Sequence, residues 1–541
     1  MSRAGRSTPR AASHVGTRSA NGAVLDAPAQ LAAPQLSGAS RGPILVTRSM
    51  KLSQLLEGIE LKRPLVDADR EIVAPCYDSR RAAPGAAFFA IRGEVTDGNR
   101  FVAAAVERGA AAVVSETARP ATLGSNVAWV EVADARKSLA LAAANFYGHP
   151  ADALQLAGVT GTNGKTTTAY LLDSILRAAG RTSGLFGTIA HRTPLATVAA
   201  TTTTPESLDL QKFLSEIVRA GGTHAVLEAS SHALAMDRLW GCGFAVAVFT
   251  NLTRDHLDYH KSFEAYFAAK RRLFEGTGRG PAHVGVINGD DPYGERLEGL
   301  ATRTLRYGLR SGEITTRKFS LTAAGLDFEA ETPAGSIVVR SHLVGRTNVY
   351  NILAAIGAGV GLEIAPDAIA AGIARLESVP GRFERVVAGQ PFMVVVDYAH
   401  TDDALTNLLA TSRELLSGGG RILTLFGCGG DRDRAKRPMM GEAAGRASDF
   451  VVLTSDNPRS EDPLRIINDA LVGLQRTEAE YRVEPDRERA IGLALEQARA
   501  GDIVLLAGKG HENYQVLSDR TIEFDDREVA RRWLARSGYA V

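Results

Sequence analysis

Cysteine is scarce: the 541 residues contain three, Cys76, Cys242 and Cys428. They lie far apart without metal-site spacing, so neither a disulfide frame nor a thiolate zinc site is available, and the usage fits a reducing cytoplasm. A dominant charge is lacking too. The 62 Lys and Arg offset 61 Asp and Glu for a net charge of +1, which leaves no strong field for nucleic acid or a membrane surface. No apolar run approaches the ~20 residues a membrane-spanning helix needs. What is present, 45% hydrophobic and 23% charged residues, is a globular composition, and the length suits roughly three or four domains.

Residues 1–49 are rich in Ala, Ser, Gly and Arg, with Asp26 as the one acidic residue and no periodicity. This composition predicts a disordered extension. A transit peptide would look similar. The alternative start Met50-Lys51-Leu52-Ser53 reads as the natural beginning.

The chain is organised around Gly158-Val159-Thr160-Gly161-Thr162-Asn163-Gly164-Lys165-Thr166-Thr167. The apolar run 154–159 predicts a buried strand leading in. Ala169, Leu171, Leu172, Ile175, Leu176 and Ala179 then recur at helical spacing, with Gly180 suited to the helix end. A glycine-rich loop opening a helix aims backbone N–H groups and the positive helix end at one small volume. Lys165 adds a charge there, and Thr166 brings a hydroxyl suited to magnesium. Polyphosphate is the natural occupant, although Val159 stands where the strict P-loop pattern asks for glycine.

Residues 50–148 predict a small α/β domain, with a strand over 87–91, a polar loop over 92–98, a helix over 101–112 and a strand over 111–115; alone they name no ligand. In 149–377, Ala225-Val226-Leu227-Glu228 predicts a strand ending on a carboxylate, where a magnesium ligand belongs opposite a P-loop. A strand over 245–249 leads into Thr250-Asn251-Leu252-Thr253-Arg254-Asp255-His256-Leu257-Asp258, whose aspartates could equally be helix caps. The helix over 262–274 carries Lys270, and by pattern alone a helical lysine belongs on a solvated face. In 378–541, strands over 392–396, 422–426, 450–454 and 503–507 each end in a polar loop, glycine-rich after the second and the fourth. That is a doubly wound sheet with its site at the carboxyl edge. The Gly427-Cys428-Gly429-Gly430 run lacks the third glycine of a dinucleotide fingerprint.

Together these motifs resemble the Mur ligases, the ATP-dependent amide-forming enzymes of peptidoglycan synthesis. Gly161–Thr167 has a form shared with folylpolyglutamate synthetases. Asp397-Tyr398-Ala399-His400 and the Asn251–Asp258 run narrow it to the wall enzymes. Asp456-Asn457-Pro458-Arg459 and Gly508-Lys509-Gly510-His511-Glu512 are similar to those of the third ligase of that series, which adds a diamino acid to UDP-N-acetylmuramoyl-L-alanyl-D-glutamate. The resemblance spans about residues 50–541.

It implies an α/β fold of three domains: an N-terminal UDP-binding domain (50–148), a central P-loop ATPase domain (149–377) and a C-terminal Rossmann-like domain (378–541). It further implies that Lys165, Lys270, Glu228 and His256 are catalytic. ATP would meet Gly161, Thr162, Asn163, Gly164, Lys165, Thr166, Thr167, Asn348, Asn351, Arg382 and Asp397. The UDP-sugar-dipeptide would meet Tyr77, Ser79, Glu94, Val95, Thr96, Thr202, Thr203, Thr204, Ser230, Met236 and Arg238. Diaminopimelate would meet Arg432, Asp456, Asn457, Pro458, Arg459, Gly508 and Glu512. Magnesium would sit on Thr166, Glu228, His256 and a carbamylated Lys270. The chain departs from the family pattern at Thr202, Met236 and Asp402, where asparagine, glutamine and proline are usual.

The implied partners are small molecules only: ATP, the UDP-muramoyl-dipeptide and meso-diaminopimelate, handled by a cytoplasmic monomer without nucleic acid or membrane. The rivals are a lysine-adding relative, a folylpolyglutamate synthetase, a nucleotide-gated binding module and a P-loop kinase. The long N-terminal domain opposes the folate enzyme, and the binding module leaves the 456–459 and 508–512 loops without a purpose.

Overall fold

The structure, a computed structural model, describes residues 49–93, 96–416 and 418–539. The expectation of a disordered extension therefore lies, apart from Ser49, outside the described residues.

Three sheets, each built mainly of parallel strands, follow one another along the chain. The first has four parallel strands, in the order Ala74–Cys76, Ala86–Phe89, Ala112–Ser115 and Ala128–Glu131. The predicted helix over 101–112 is shorter than expected. A 3-10 turn at Gly98–Phe101, capped by Asp97, passes into a helix over Val102–Glu107 only. Gly109 follows it at φ +97° and packs against Pro84, where a side chain would strike the proline backbone.

The second sheet has eight strands. Six are parallel: Ser183–Phe186, His224–Glu228, Gln155–Thr160, Val246–Phe249, Val284–Asn288 and Arg303–Tyr307. Two short antiparallel strands, Ala190–Arg192 and Thr197–Ala199, extend one edge. Alternate residues of each strand serve opposite cores. Ala157 and Val159 pack with helices Lys165–Ala178, Arg346–Gly361 and Pro366–Arg375. Leu156 packs with Ser207–Arg219 and Phe263–Glu275. A sheet covered on both faces needs apolar residues at every position, which is why these strands read as continuous apolar runs. A separate antiparallel sheet, Phe319–Thr322, Gly325–Ala330 and Ile337–Ser341, adds one apolar face to the first of these cores.

The third sheet runs Glu384–Arg385, Met393–Asp397, Ile503–Ala507, Ile422–Phe426, Phe450–Leu453 and Glu480–Val483, with only the first strand antiparallel. The four strands read from sequence are there, joined by two edge strands that lack an apolar run.

The carboxyl edge of this third sheet is held from beneath. Arg487 and Asp526 are fully buried and joined by two hydrogen bonds, Nε–Oδ1 at 2.8 Å and Nη2–Oδ2 at 2.6 Å. The same guanidinium donates to Ala507 O at 3.0 Å and Ser455 O at 3.4 Å, the last residues before two of the site loops. Arg437, equally buried, donates to Glu461, Asp469 and Gly429 O. Arg487→Ala would strand the Asp526 carboxylate in the core. It should cost about 3–5 kcal/mol of stability, measured by urea unfolding; a loss below about 1 kcal/mol would show that the pair is not structural.

Candidate active site

The loop after Gln155–Thr160 takes its shape from two glycines. Gly161 lies at φ +146°, where a β-carbon would sit 1.8 Å from Thr250 Oγ1, and Gly164 at φ +85°, where one would sit 2.3 Å from Asn351 Oδ1. Both conformations and both close approaches require the missing side chain. The loop is pinned by Asn163 N to Asn251 Oδ1 at 2.9 Å and by Thr250 Oγ1 to Asn163 O at 2.6 Å. The Asn251–Asp258 run is thus first the mount of the loop.

Two lysines converge on one carbonyl. Lys165 Nζ donates to Gly161 O at 3.0 Å and Thr162 O at 2.9 Å. Lys270 Nζ donates to the same Gly161 O at 2.7 Å and sits 4.3 Å from the Tyr266 ring centroid. Lys270 is 0% exposed, so the solvated-face reading from helical pattern is corrected: its position on Phe263–Glu275 faces the sheet, among Tyr266, Phe267, Leu273 and Phe274. Burial lowers the pKa of both amines. For Lys270 the charge of Lys165 pushes it further, to well below the ordinary lysine value.

Glu228, buried at the end of its strand, receives Thr166 Oγ1 at 3.0 Å and Thr188 Oγ1 at 3.0 Å on Oε2, and Thr188 N at 2.9 Å on Oε1. Thr166 and Thr188 line different cavities. The first, about 350 Å³, is bounded by Asn163, Gly164, Thr166, Thr167, Asn348, Asn351, Arg382 and Asp397. Arg382 donates to Thr166 Oγ1 at 3.2 Å and lies 4.7 Å from the Tyr398 ring. Asp397 is fixed by Phe383 N at 2.7 Å and Ala399 N at 2.8 Å; burial raises its pKa while Arg382 opposes the rise.

The second cavity, about 500 Å³, brings Thr202 and Thr203 together with His256, Arg432, Asp456, Asn457, Arg459, Gly508 and Glu512. Central-segment and C-terminal candidates thus face one space. Arg459 has left-handed backbone (φ +53°), donates Nη1 to Gly430 O at 2.7 Å, and keeps Nε and Nη2 without a partner among the described residues. Among the described residues Arg432 donates only to Asp431 O. His256 also has left-handed backbone and packs edge-on against His232 at 4.6 Å. Burial lowers its pKa to about 3 against the pull of Asp255, so at neutral pH it is a neutral imidazole beside a carboxylate.

Other candidates lie behind these walls. Thr204 is fully buried, with its hydroxyl donated to Glu228 O at 2.6 Å. Its side chain ties the loop to the strand end instead of meeting the cavity. Ser230 caps the turn 231–235 through Ala233 N. Arg238 donates to Thr204 O, Met236 Sδ and, at 3.3 Å, pairs with Glu206. Pro458 contributes its carbonyl against Gly430. Tyr77 donates to Asp209 Oδ2 at 2.5 Å across the first two segments, Ser79 opens a 3-10 turn, and Thr96 is exposed. Glu94 and Val95 lie outside the described residues. Asp402 opens the helix Asp402–Leu415 behind its cap Thr401. Proline also suits that first position, because no N–H partner is lost there.

Several site residues were missed in the sequence. Thr188 follows a four-residue strand without a polar signature. Asp403 accepts from Asn163 Nδ2 at 2.6 Å and Thr253 Oγ1 at 3.2 Å, joining the C-terminal segment to the phosphate loop. It follows His400 by three residues, and only that closeness could have marked it. His400, His511 and Lys436 complete the second cavity.

The chain matches the Mur ligase middle domain over residues 159–359, the glutamate ligase domain of Mur ligases over 381–510 and the Mur ligase family catalytic domain over 72–147. It is 55% identical over 495 residues to a Solibacter usitatus protein named UDP-N-acetylmuramoyl-L-alanyl-D-glutamate–2,6-diaminopimelate ligase, covering 91% of this chain and 99% of that one. A Geobacter metallireducens protein of the same name is 47% identical over 479 residues, covering 85% and 93%. A solved structure of a ligase so named is similar at a TM-score of 0.63 and 33% identity, covering 91% of this chain and all of the other.

Burial lowers the pKa of His260, His400 and His511 to about 4 each. The unfolded chain, with histidines near 6.5, binds more protons between about pH 4 and 6.5, so stability is lost as pH falls through that window. At pH 5.5 each of these partly covered histidines should cost up to about 1 kcal/mol. Urea midpoints at pH 7.5 and 5.5 check this; an unchanged midpoint would show that these rings protonate freely in the folded state.

Proposed function

The chain belongs to the Mur ligase family, and we propose that it joins meso-2,6-diaminopimelate to the γ-carboxyl of the D-glutamate in UDP-N-acetylmuramoyl-L-alanyl-D-glutamate, consuming ATP. The observation that carries this reading is the shared wall between the two cavities, formed by Glu228 with Thr166 on one side and Thr188 on the other. A nucleotide on the phosphate loop and an acceptor in the second cavity would meet at that wall.

A carboxylate and a polyphosphate repel each other, and a carboxylate is a poor acyl donor. The loop N–H groups and Lys165 would lower the charge on the γ-phosphate, so that the glutamyl carboxylate can attack phosphorus, break its bond to the bridging oxygen, release ADP and form an acyl phosphate. The neutral amine of diaminopimelate then attacks the acyl carbon, and phosphate leaves as the amide forms. The attacking nitrogen loses its proton as the tetrahedral intermediate collapses, and the leaving phosphate, a stronger base than the buried His256 ring, can take it up. Closure by Arg382 and Asp403 keeps water from the acyl phosphate.

The donors fit magnesium. Thr166 and Glu228 offer oxygens at the mouth of the phosphate loop, and hard oxygen donors suit this ion. Among the described residues no three His, Cys, Asp or Glu side chains cluster to hold an ion alone, so the remaining ligands would come from phosphate, with His256 and a carbamate on Lys270 as the further protein donors. Bound there, magnesium would neutralise phosphate charge. Lys270 is suited to carbamylation, because carbon dioxide reacts with a neutral amine and its burial favours that form. The carbamate would turn a second cation into an anion with two oxygen donors. The substrates place the reaction in the cytoplasm, and no helix among the described residues is long and apolar enough to cross a membrane.

A phosphate-release assay with ATP, the UDP-muramoyl-dipeptide and each diamino acid tests the assignment. Release should depend on meso-diaminopimelate; dependence on lysine instead, or no dependence on an amine, would contradict it.

Diaminopimelate exceeds lysine by one carboxylate, and the unpartnered nitrogens of Arg459 can bind it in bidentate fashion. Arg459→Ala should therefore raise KM for diaminopimelate and erase discrimination against lysine, at about 1.5–3 kcal/mol for one charged pair. Retained discrimination would move selectivity elsewhere. Lys270→Ala should lose most activity, with formate or acetate restoring part of it by supplying the carbamate oxygens. Full activity in Lys270→Ala would remove the carbamate from the mechanism.

A further inference from the structure

Lys509 lies between Gly508 and Glu512 but does not face the cavity. It is 0% exposed, and its ammonium sits 3.2 Å from Glu512 Oε2 and 3.3 Å from Asn457 Oδ1. Asn457 Nδ2 donates to the same Glu512 Oε2 at 2.8 Å, closing a three-membered network. Val516 N donates to Asn457 Oδ1 at 2.9 Å. With two donors on its oxygen, the Asn457 amide has one allowed orientation, nitrogen toward Glu512. With both of these contacts on Oε2, Glu512 keeps Oε1 without a protein donor among the described residues. Glu512 and Asn457, which both line the second cavity, thus each keep one polar group without a partner among the described residues, a carboxylate oxygen and an amide N–H.

A buried ammonium is costly unless paired. Among the described residues Glu512 is the only carboxylate within ion-pair distance of Lys509. Each charge therefore depends on the other, and neither sequence pattern nor cavity lining draws attention to the lysine.

We propose that Lys509 is a positioning residue for the incoming amino acid, holding the Glu512 carboxylate and the Asn457 amide so that Glu512 Oε1 receives the substrate ammonium and Asn457 donates to its carboxylate. This rests on the reading of the second cavity as the diaminopimelate site. Other charged and titratable groups also act on Glu512. Asp456 works against its ionisation, Tyr398 and Tyr514 lie near, and Arg487 is a more distant cation already paired to Asp526. Burial raises the Glu512 pKa and Lys509 is the leading opposing charge. Without the lysine, Glu512 is the group that takes up a proton.

The test is steady-state phosphate release by the full chain, wild type against Lys509→Met, from pH 6.5 to 8.5. KM for meso-diaminopimelate should rise about tenfold or more, while KM for ATP and the UDP-dipeptide stays within about twofold. In the variant alone, KM for diaminopimelate should fall as pH rises, because only the ionised Glu512 binds the ammonium. The double variant Lys509→Met, Glu512→Gln removes both buried charges and should fold even if the single variant does not. It should retain the raised KM and lose the pH dependence. Equal rises in all three KM values, or a pH-independent KM in Lys509→Met, would overturn the proposal. So would wild-type affinity for diaminopimelate in the double variant. If wild type releases no phosphate in response to diaminopimelate, the reading of the cavity fails, and the proposal with it.

Discussion

Two ammonium groups sharing one carbonyl oxygen set the terms for the rest of the site. Lys165 and Lys270 both donate to Gly161 O, both are desolvated, and neither has a carboxylate within ion-pair distance among the described residues. Like charges held this way repel, and with Lys270 fully buried and Lys165 half-buried, water screens them little. The arrangement is relieved when Lys270 gives up its proton and when anions arrive. A triphosphate and a carboxylate are such anions. The site is therefore built with a deficit of negative charge that substrates fill.

Around that deficit the three sheets are coupled by few but direct contacts. Tyr77 reaches Asp209 from the first segment. Asp403 and Arg382 reach the phosphate loop from the third. Behind the second cavity, Arg437 and Arg487 tie the strand ends that carry Gly429, Ser455 and Ala507. Rigid loops at the carboxyl edges with light contacts across the crevice suit a reaction that admits three substrates and then excludes water.

Legibility followed from how each residue is used. The strands over 422–426 and 503–507 were readable because both faces are buried and every position is apolar. Glu480–Val483 and Glu384–Arg385 were not, since edge strands are half exposed and carry charge. The sheet over 319–341 was readable and overlooked: Leu326-Asp327-Phe328-Glu329-Ala330 alternates as a one-sided strand should. In the site, Glu228 announced itself as an acid at the end of an apolar strand. Lys270 did not, because helical pattern cannot tell a lysine aimed at a sheet from one aimed at solvent; the family resemblance supplied that position. Thr204 was misjudged because a hydroxyl facing a ligand and one tying two loops have the same sequence signature. Thr188, Asp403 and Lys509 act through tertiary contacts that a linear pattern does not contain.

In the proposed reaction Lys270 would resolve the charge conflict by becoming an anion. Carbon-13 NMR of the enzyme equilibrated with labelled bicarbonate reads this directly. The account predicts one protein-bound carbamate signal, present in wild type and missing in Lys270→Met. A fully active wild-type enzyme with no such signal, or a signal that survives in Lys270→Met, would contradict it.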